Sequence, residues 1–366
     1  MNKVYIIAEA GVNHNGSLQI AKDLVEEAAR AGADAVKFQT FFSENLVTKS
    51  APKARYQERN SKSDSSQYDM LKVLELSRDA HFELKDYAEN AGIEFLSTPF
   101  GLEELDFLVR DVKVQKLKMS SGEITNGMLL LEAARSQLPI IFSTGMSTVE
   151  EISDALGVLA FGYLSSQGES PRMEAFRAAR ESERGIEMLE KKVTILHCTT
   201  QYPTPFDQVN LRAMGTLAKH FGLPVGYSDH TEGIMASIAA AANGATVIEK
   251  HFTLDRGMEG PDHAASIEPH DLQKLVAGVR DVERLMGLPT KVCNDAEGEN
   301  LNVVRKSLVV KRNIRSGEEF TAADVTAKRP GGGLSPMAIW DILGRKSNRD
   351  YLEDEMIDTS VLEDQI

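Results

Sequence analysis

The first 285 residues predict a (β/α)₈ barrel, the TIM barrel of the α/β class. Two observations carry this: eight short β-rich apolar runs alternate with helix-like segments, and each run ends in polar residues. A third extends it: beyond residue 285 the alternation stops and a compact module of short strands and turns follows.

The expected strands are VYIIAEA (4–10), AVKFQTF (35–41), EFLSTPF (94–100), QKLKMSSG (115–122), PIIFSTG (139–145), VTILHCTT (193–200), LPVGYSDH (223–230) and ATVIEKHF (245–252). Between them lie amphipathic stretches such as SLQIAKDLVEEAARAGA and TVEEISDALGVL, with apolar residues at three- and four-residue spacing and Gly near several ends. A doubly wound open sheet shows the same alternation, but eight units favour closure into a barrel. Two connections are long. Residues 43–70 are polar and Ser-rich and follow the second strand, where a loop covering an active site would stand; residues 163–191 read as one extended, charged helix. GLPTKVCNDAEGENLN reads as a linker over 286–304, and 305–366 as a small, mostly β domain that leans on another surface for stability.

The formal charge of −14 argues against a nucleic-acid or anionic-membrane partner, though not against a small anionic ligand held by local lysines and helix N-termini. Cys198 and Cys293 have no metal-type spacing, so a disulfide framework is not expected. The N-terminal apolar run stops at Glu9, and no stretch of 18 apolar residues occurs. A soluble, cytoplasmic protein is expected.

In this architecture chemistry projects from the C-terminal ends of the strands. Those ends carry Glu9; Lys37 and Gln39; Ser97 and Thr98; Lys118, Ser121 and Glu123; Ser143 and Thr144; His197, Thr199, Thr200 and Tyr202; Ser228, Asp229 and His230; Glu249, Lys250 and His251. Solvated loops explain one such ending but not eight. His230 and His251 end consecutive strands, which lie about 4.8 Å apart, so they can share one divalent transition metal and leave positions for water and substrate. Two structural histidines bonded to backbone are the alternative. Asp229 is either an orienter of a histidine or a helix cap. Thr98, Lys118, Ser121, Ser143 and Ser228 form a ring of donors suited to a phosphate, while Lys37 either meets a second anionic group or pairs with Glu9 or Glu123. No P-loop or dinucleotide fingerprint occurs, so no nucleotide cofactor is expected. These residues describe a metal-assisted enzyme acting on a small phosphorylated or carboxylated substrate.

AEAGVNHNGS, GADAVKFQTF, FLSTPF, KMSSGE, STGM, HCTTQYPTP, GYSDHT, EKHFTLD and GPDHAAS, in that order, resemble the sialic acid synthase family. KSLVVKRNIRSGE, KRPGGG and LGR resemble its C-terminal antifreeze-like (SAF) domain. The resemblance implies condensation of phosphoenolpyruvate with an N-acetylated hexose and release of phosphate. It assigns His230 and His251 to a metal, most often Mn²⁺, with Mg²⁺ and Co²⁺ as alternatives. Lys37, Thr98, Lys118, Ser121, Ser143 and Ser228 fall at the phosphoenolpyruvate site; Gln39, Glu123, Tyr202 and Asp262 at the sugar; and Glu9 with Glu123 as catalytic carboxylates. Arg329 matches the arginine that the SAF domain of one subunit inserts into the barrel of its partner, implying a homodimer.

Thr199 and Thr200 stand where N-acetylneuraminate synthases often carry an Asn that contacts phosphoenolpyruvate, and legionaminate synthases commonly show this HCTT form. The expectation taken is N-acetylmannosamine as substrate and N-acetylneuraminate as product, with a 2,4-diacetamido-2,4,6-trideoxymannose substrate as the alternative. An aldolase using Lys37, Lys118 or Lys250 as a Schiff base and a non-catalytic binding module are the competing classes.

Overall fold

The computed structural model describes residues 3–53, 66–164 and 170–363. Every expected strand forms at its anticipated run: β1 Tyr5–Gly11, β2 Ala35–Thr40, β3 Glu94–Pro99, β4 Leu117–Met119, β5 Ile140–Ser143, β6 Val193–Cys198, β7 Val225–Asp229 and β8 Val247–His251. They pair in parallel in the order β3-β2-β1-β8-β7-β6-β5-β4, and the end strands β3 and β4 lie in contact, so the sheet curls into a barrel.

Helices return the chain between strands. The first, Leu18–Ala31, begins at Ser17, whose side chain accepts the Ile20 N–H, and ends at Gly32 with φ 81°, a left-handed cap that favours glycine. It buries Ala21, Leu24, Val25 and Ala28 along one stripe, and Leu24 or Val25 each contributes roughly 2 kcal/mol of burial.

Strand alternation places the site. Ile6 and Ala8 on β1 join the large apolar layer between strands and helices, while Ile7 packs inside the barrel with Ala35, Leu96, Ile141, Leu196 and Val247. Gly226 of β7 fills the equivalent inward place, because a Cβ there would stand 2.4 Å from the Val247 carbonyl oxygen. Two residues further along each strand, on the same inward face, come Glu9, Lys37, Thr98, Ser143, Cys198, Ser228 and Glu249. An apolar plug thus supports a polar layer at the C-terminal end of the barrel.

The long segments differ from expectation where they are described. Of 43–70, residues 54–65 lie outside the described residues; the flanks carry short helices Ser43–Leu46 and Gln67–Lys72. Of 163–191, residues 165–169 lie outside. The remainder forms two helices, Met173–Glu181 and Glu183–Lys192, rather than one. Ser182, extended at φ −74° and ψ 146°, breaks the run and accepts the Gly185 N–H as the second helix's cap.

The chain divides into two compact units, Met1–Gly287 and Leu288–Ile366. The expected linker contains a helix, Asp295–Val304, started by a reciprocal capping box between Asn294 and Glu297. In the second unit β9 (Ser307–Val310) pairs antiparallel with β10 (Val325–Lys328), around a core that includes Leu308, Val310, Ile314, Phe320, Tyr351 and Ile357. Among the described residues no helix is long and apolar enough to cross a membrane.

Candidate active site

The polar layer lines a cavity of ≈ 220 Å³ at the C-terminal ends of the strands. Of the residues expected there, Glu9, Lys37, Gln39, Thr98, Lys118, Ser121, Ser143, Thr200, Tyr202, Ser228, His230 and His251 all border it. Phe100, Ser120, Gly122, Met146, Cys198 and Glu249 also border it; Glu249 is among the strand ends read from the sequence, with no role assigned there, and Cys198 is not.

Charge is concentrated in four buried side chains. Lys37 Nζ lies 2.7 Å from Glu9 Oε2 and 3.6 Å from Glu249 Oε2, and Lys118 Nζ lies 3.4 Å from Glu249 Oε1. Of the two sequence readings of Lys37, the ion pair with Glu9 is therefore present, on an ammonium that also faces the cavity. Lys37 donates to Thr98 Oγ1 at 3.1 Å, Ser228 Oγ to Glu249 Oε1 at 2.9 Å, and Gln39 Nε2 to Glu9 Oε1 at 3.3 Å. The Ser143 hydroxyl is buried without a hydrogen-bond partner.

Burial pushes the Glu9 carboxyl up to about 7, against the pull of Lys37 and helped by repulsion from Glu249. Burial also acts upward on Glu249, but Lys118, Lys37 and the Ser228 bond outweigh it and hold that carboxyl down at about 2. Burial and the neighbouring Lys37 lower Lys118, with Glu249 opposing. When Glu9 carries a proton, two lysines face one carboxylate. The surplus of positive charge and the unpartnered Ser143 hydroxyl suit a small polyanion.

Close packing shapes the wall beside Ser121 and Thr200. Gly145 donates its N–H to Ser121 Oγ at 2.9 Å, and a Cβ on Gly145 would stand 2.2 Å from Thr200 Oγ1. Any side chain there would force the Thr200 and Ser121 hydroxyls to move.

The imidazoles of His230 and His251 have ring centroids 5.5 Å apart. His230 Nδ1 donates to the Thr199 carbonyl at 2.8 Å, so in the neutral ring the lone pair is on Nε2, the arrangement usual for a metal-binding histidine. His251 Nδ1 is buried without a partner, and burial, His230 and Lys37 hold this imidazole neutral, well below the usual histidine range. The Tyr202 ring packs 4.1 Å from the His230 ring and 5.6 Å from that of His251. These two residues fit a divalent metal that takes two imidazoles. Among the described residues no group of three His, Cys, Asp or Glu is poised for one, so other positions would fall to water or substrate.

Three expected residues stand elsewhere. Glu123 is not part of the lining; its Oε2 accepts from Asn126 Nδ2 at 2.7 Å, and burial raises its carboxyl. Asp262 lies on the loop after β8, where burial pushes it up to about 6 against the influence of His230. Arg329 belongs to the second unit, where its Nε donates to the Val304 carbonyl at 3.0 Å. Asp229 touches its own surroundings rather than the cavity, accepting from Thr231 N and Ser237 Oγ.

A parallel barrel with an apolar floor and a buried layer of lysines and carboxylates at its mouth is the frame of a small-molecule enzyme. The chain belongs to the NeuB family, whose model matches residues 24–291, and its C-terminal part matches the SAF domain over 305–363. It is 46% identical to the N,N'-diacetyllegionaminic acid synthase of Campylobacter jejuni, over 98% of this chain and 99% of that one. It is 44% identical to the N,N'-diacetyllegionaminic acid synthase of Legionella pneumophila, over 93% of this chain and 90% of that one. Among solved structures, the N-acetylneuraminic acid synthetase of Leptospira borgpetersenii, in complex with citrate, is similar with a TM-score of 0.66 and 33% identity. That match covers 82% of this chain and 90% of the other. These relatives are synthases, and the family membership supports a synthase activity for this chain.

Proposed function

We propose that the protein condenses phosphoenolpyruvate with 2,4-diacetamido-2,4,6-trideoxymannose and water to give N,N'-diacetyllegionaminate and inorganic phosphate. The observation that carries the choice of sugar is the 46% identity, over nearly the whole of both chains, to a legionaminate synthase, against 33% to a sialic acid synthetase. The HCTT form at Thr199 and Thr200 points the same way. The expectation of N-acetylmannosamine accordingly gives way to the diacetamido sugar.

Lys37, Lys118 and the hydroxyls of Thr98, Ser121, Ser143 and Ser228 would hold the phosphate and carboxylate of phosphoenolpyruvate, while Gln39 and Tyr202 would meet the sugar. His230 and His251 would hold a divalent metal, Mn²⁺ first, which when bound supplies Lewis-acid polarisation of the sugar aldehyde. A carbon–carbon bond forms between C3 of phosphoenolpyruvate and C1 of the sugar, whose oxygen takes a proton. Positive charge is left at C2, which the Glu249 and Glu9 carboxylates of the lining would stabilise. Water adds at C2 and yields its proton to Glu9, whose pKa of about 7 suits a base near neutrality. Glu9 is preferred to Glu123 because it lines the cavity and Glu123 does not. The tetrahedral carbon then expels phosphate by carbon–oxygen cleavage and becomes the ketone, its hydroxyl proton leaving with the phosphate, while the proton held by Glu9 replaces the one taken up by the sugar oxygen.

The aldolase reading needs a lysine free to attack a carbonyl. Lys37 and Lys118 are instead paired with carboxylates, and Lys250 pairs with Asp229. Phosphoenolpyruvate labelled with ¹⁸O at the bridging oxygen tests the proposal: with the diacetamido sugar the label appears in phosphate. Label retained in the keto acid, or no keto acid of the expected mass, would refute it.

A further inference from the structure

β7 and β8 lie in parallel register with Asp229 opposite Lys250, so His230 and His251 each follow one member of the same pair. Ser228 and Glu249 line the cavity, and alternation turns Asp229 and Lys250 outward, beneath the helices. There Lys250 Nζ lies 3.2 Å from Asp229 Oδ2, with the two side chains 1% and 0% exposed. Asp229 Oδ1 accepts the Thr231 N–H at 2.8 Å, and Oδ2 accepts the Ser237 hydroxyl at 2.6 Å from the helix Met235–Ala242. Lys250 also donates to the Thr231 carbonyl. The residue just after His230 is therefore held at both its N–H and its carbonyl by one ion pair, whose other end precedes His251.

We propose that Asp229 and Lys250 are positioning residues that fix the separation and aim of the two imidazoles, an inference that rests on the reading of His230 and His251 as metal ligands. A buried ion pair adds little net stability over an apolar pair of similar volume. What it supplies here is direction, through bonds that an apolar pair lacks. The outward face of the strands thus sets the geometry of the inward one.

The test is Mn²⁺ binding to the full chain, followed by the electron paramagnetic resonance of free Mn²⁺, alongside thermal melting. The variants are H230A, H251A, D229N, K250M and D229L/K250M. Wild type binds, and each histidine variant loses binding. D229N and K250M weaken it by roughly 10- to 100-fold, the usual range for outer residues of metal sites. D229L/K250M regains the melting temperature lost by the single variants but stays at least about 10-fold weaker in Mn²⁺ binding. Recovery of affinity together with melting temperature would overturn the inference, as would single variants binding within about twofold of wild type. If the single variants do not fold, Ser237→Ala, which keeps the pair and removes one of its anchors, still decides: weaker binding at an unchanged melting temperature supports the inference and unchanged binding overturns it. Absence of histidine-dependent binding in the wild type would instead show that the metal reading itself is wrong, and the inference falls with it.

Discussion

The Lys37 ammonium lies 2.7 Å from the Glu9 carboxylate, joining β1 to β2 across a register in which the two residues are direct partners. Both are buried, and Glu249 stands on the other side of the same ammonium. Lys37→Met leaves Glu9 without its cation beside Glu249, which keeps only Lys118, and breaking a buried pair in this way costs about 3–5 kcal/mol. We expect a lower melting temperature together with at least about a 100-fold loss in phosphoenolpyruvate affinity by calorimetry, since each lost factor of ten corresponds to about 1.4 kcal/mol. Unchanged affinity in a folded variant would remove Lys37 from the anion site.

Glu9 must be ionised to accept a proton from water, and burial has raised its carboxyl to about 7. The rate should therefore rise with pH through the neutral region and level off above it. Glu9→Gln is expected to lower kcat by about 10²–10⁴-fold and to abolish that limb of the profile. A profile that keeps the limb in the variant would assign it to another group.

Gly145 is the tightest point of the wall. Gly145→Ala drives a methyl group against Thr200 Oγ1 and within 2.9 Å of Ser121 Oγ, so both hydroxyls must shift. Overpacking of this kind costs typically about 1–3 kcal/mol. The stronger effect should be on KM for phosphoenolpyruvate, and Thr200→Gly in the same chain should restore much of it. Steady-state kinetics on the single and double variants decides this.

The strands were readable because their central residues are apolar on both faces, and their polar ends were readable as a group. Which residue of each end faces the cavity was less so, since consecutive polar residues alternate sides. His197 turns outward to donate Nε2–H to the Val209 carbonyl, while the less conspicuous Cys198 lines the wall. Glu249, already among the polar strand ends, could have been assigned to the wall by the alternation rule, two residues before His251 on the inward face. The helix Asp295–Val304 lay hidden in a polar stretch, although its Asn294–Glu297 capping box is legible in hindsight. The choice of sugar was not legible from motifs shared by all these synthases; it came from similarity along the whole chain.

His14, on the loop after β1, accepts the Gly16 N–H at Nδ1 and is buried, with no partner at Nε2. Burial, then repulsion from His81 and His263, pushes its pKa down to about 4. Because the unfolded chain takes up this proton near 6.5, the contribution to stability is full above that pH and is lost as pH falls towards 4. Wild type should lose on the order of 3 kcal/mol more than His14→Asn over that window in urea unfolding. Equal losses would mean that His14 does not titrate as described.

Arg329 is proposed to complete the site of a second copy. R329A and H230A, each expected to have little activity alone, should regain activity when unfolded and refolded together, because mixed dimers then carry one intact site. No regain, with mixed dimers shown by mass spectrometry, would place Arg329 outside catalysis.

The most direct test of the central claim is phosphate release from phosphoenolpyruvate with Mn²⁺, comparing 2,4-diacetamido-2,4,6-trideoxymannose with N-acetylmannosamine. The account predicts turnover of the diacetamido sugar with kcat/KM at least about 100-fold higher, lost on chelation, a difference within reach of a few hydrogen bonds. Preferential turnover of N-acetylmannosamine would contradict the choice of sugar, and turnover of neither would contradict the account of the site.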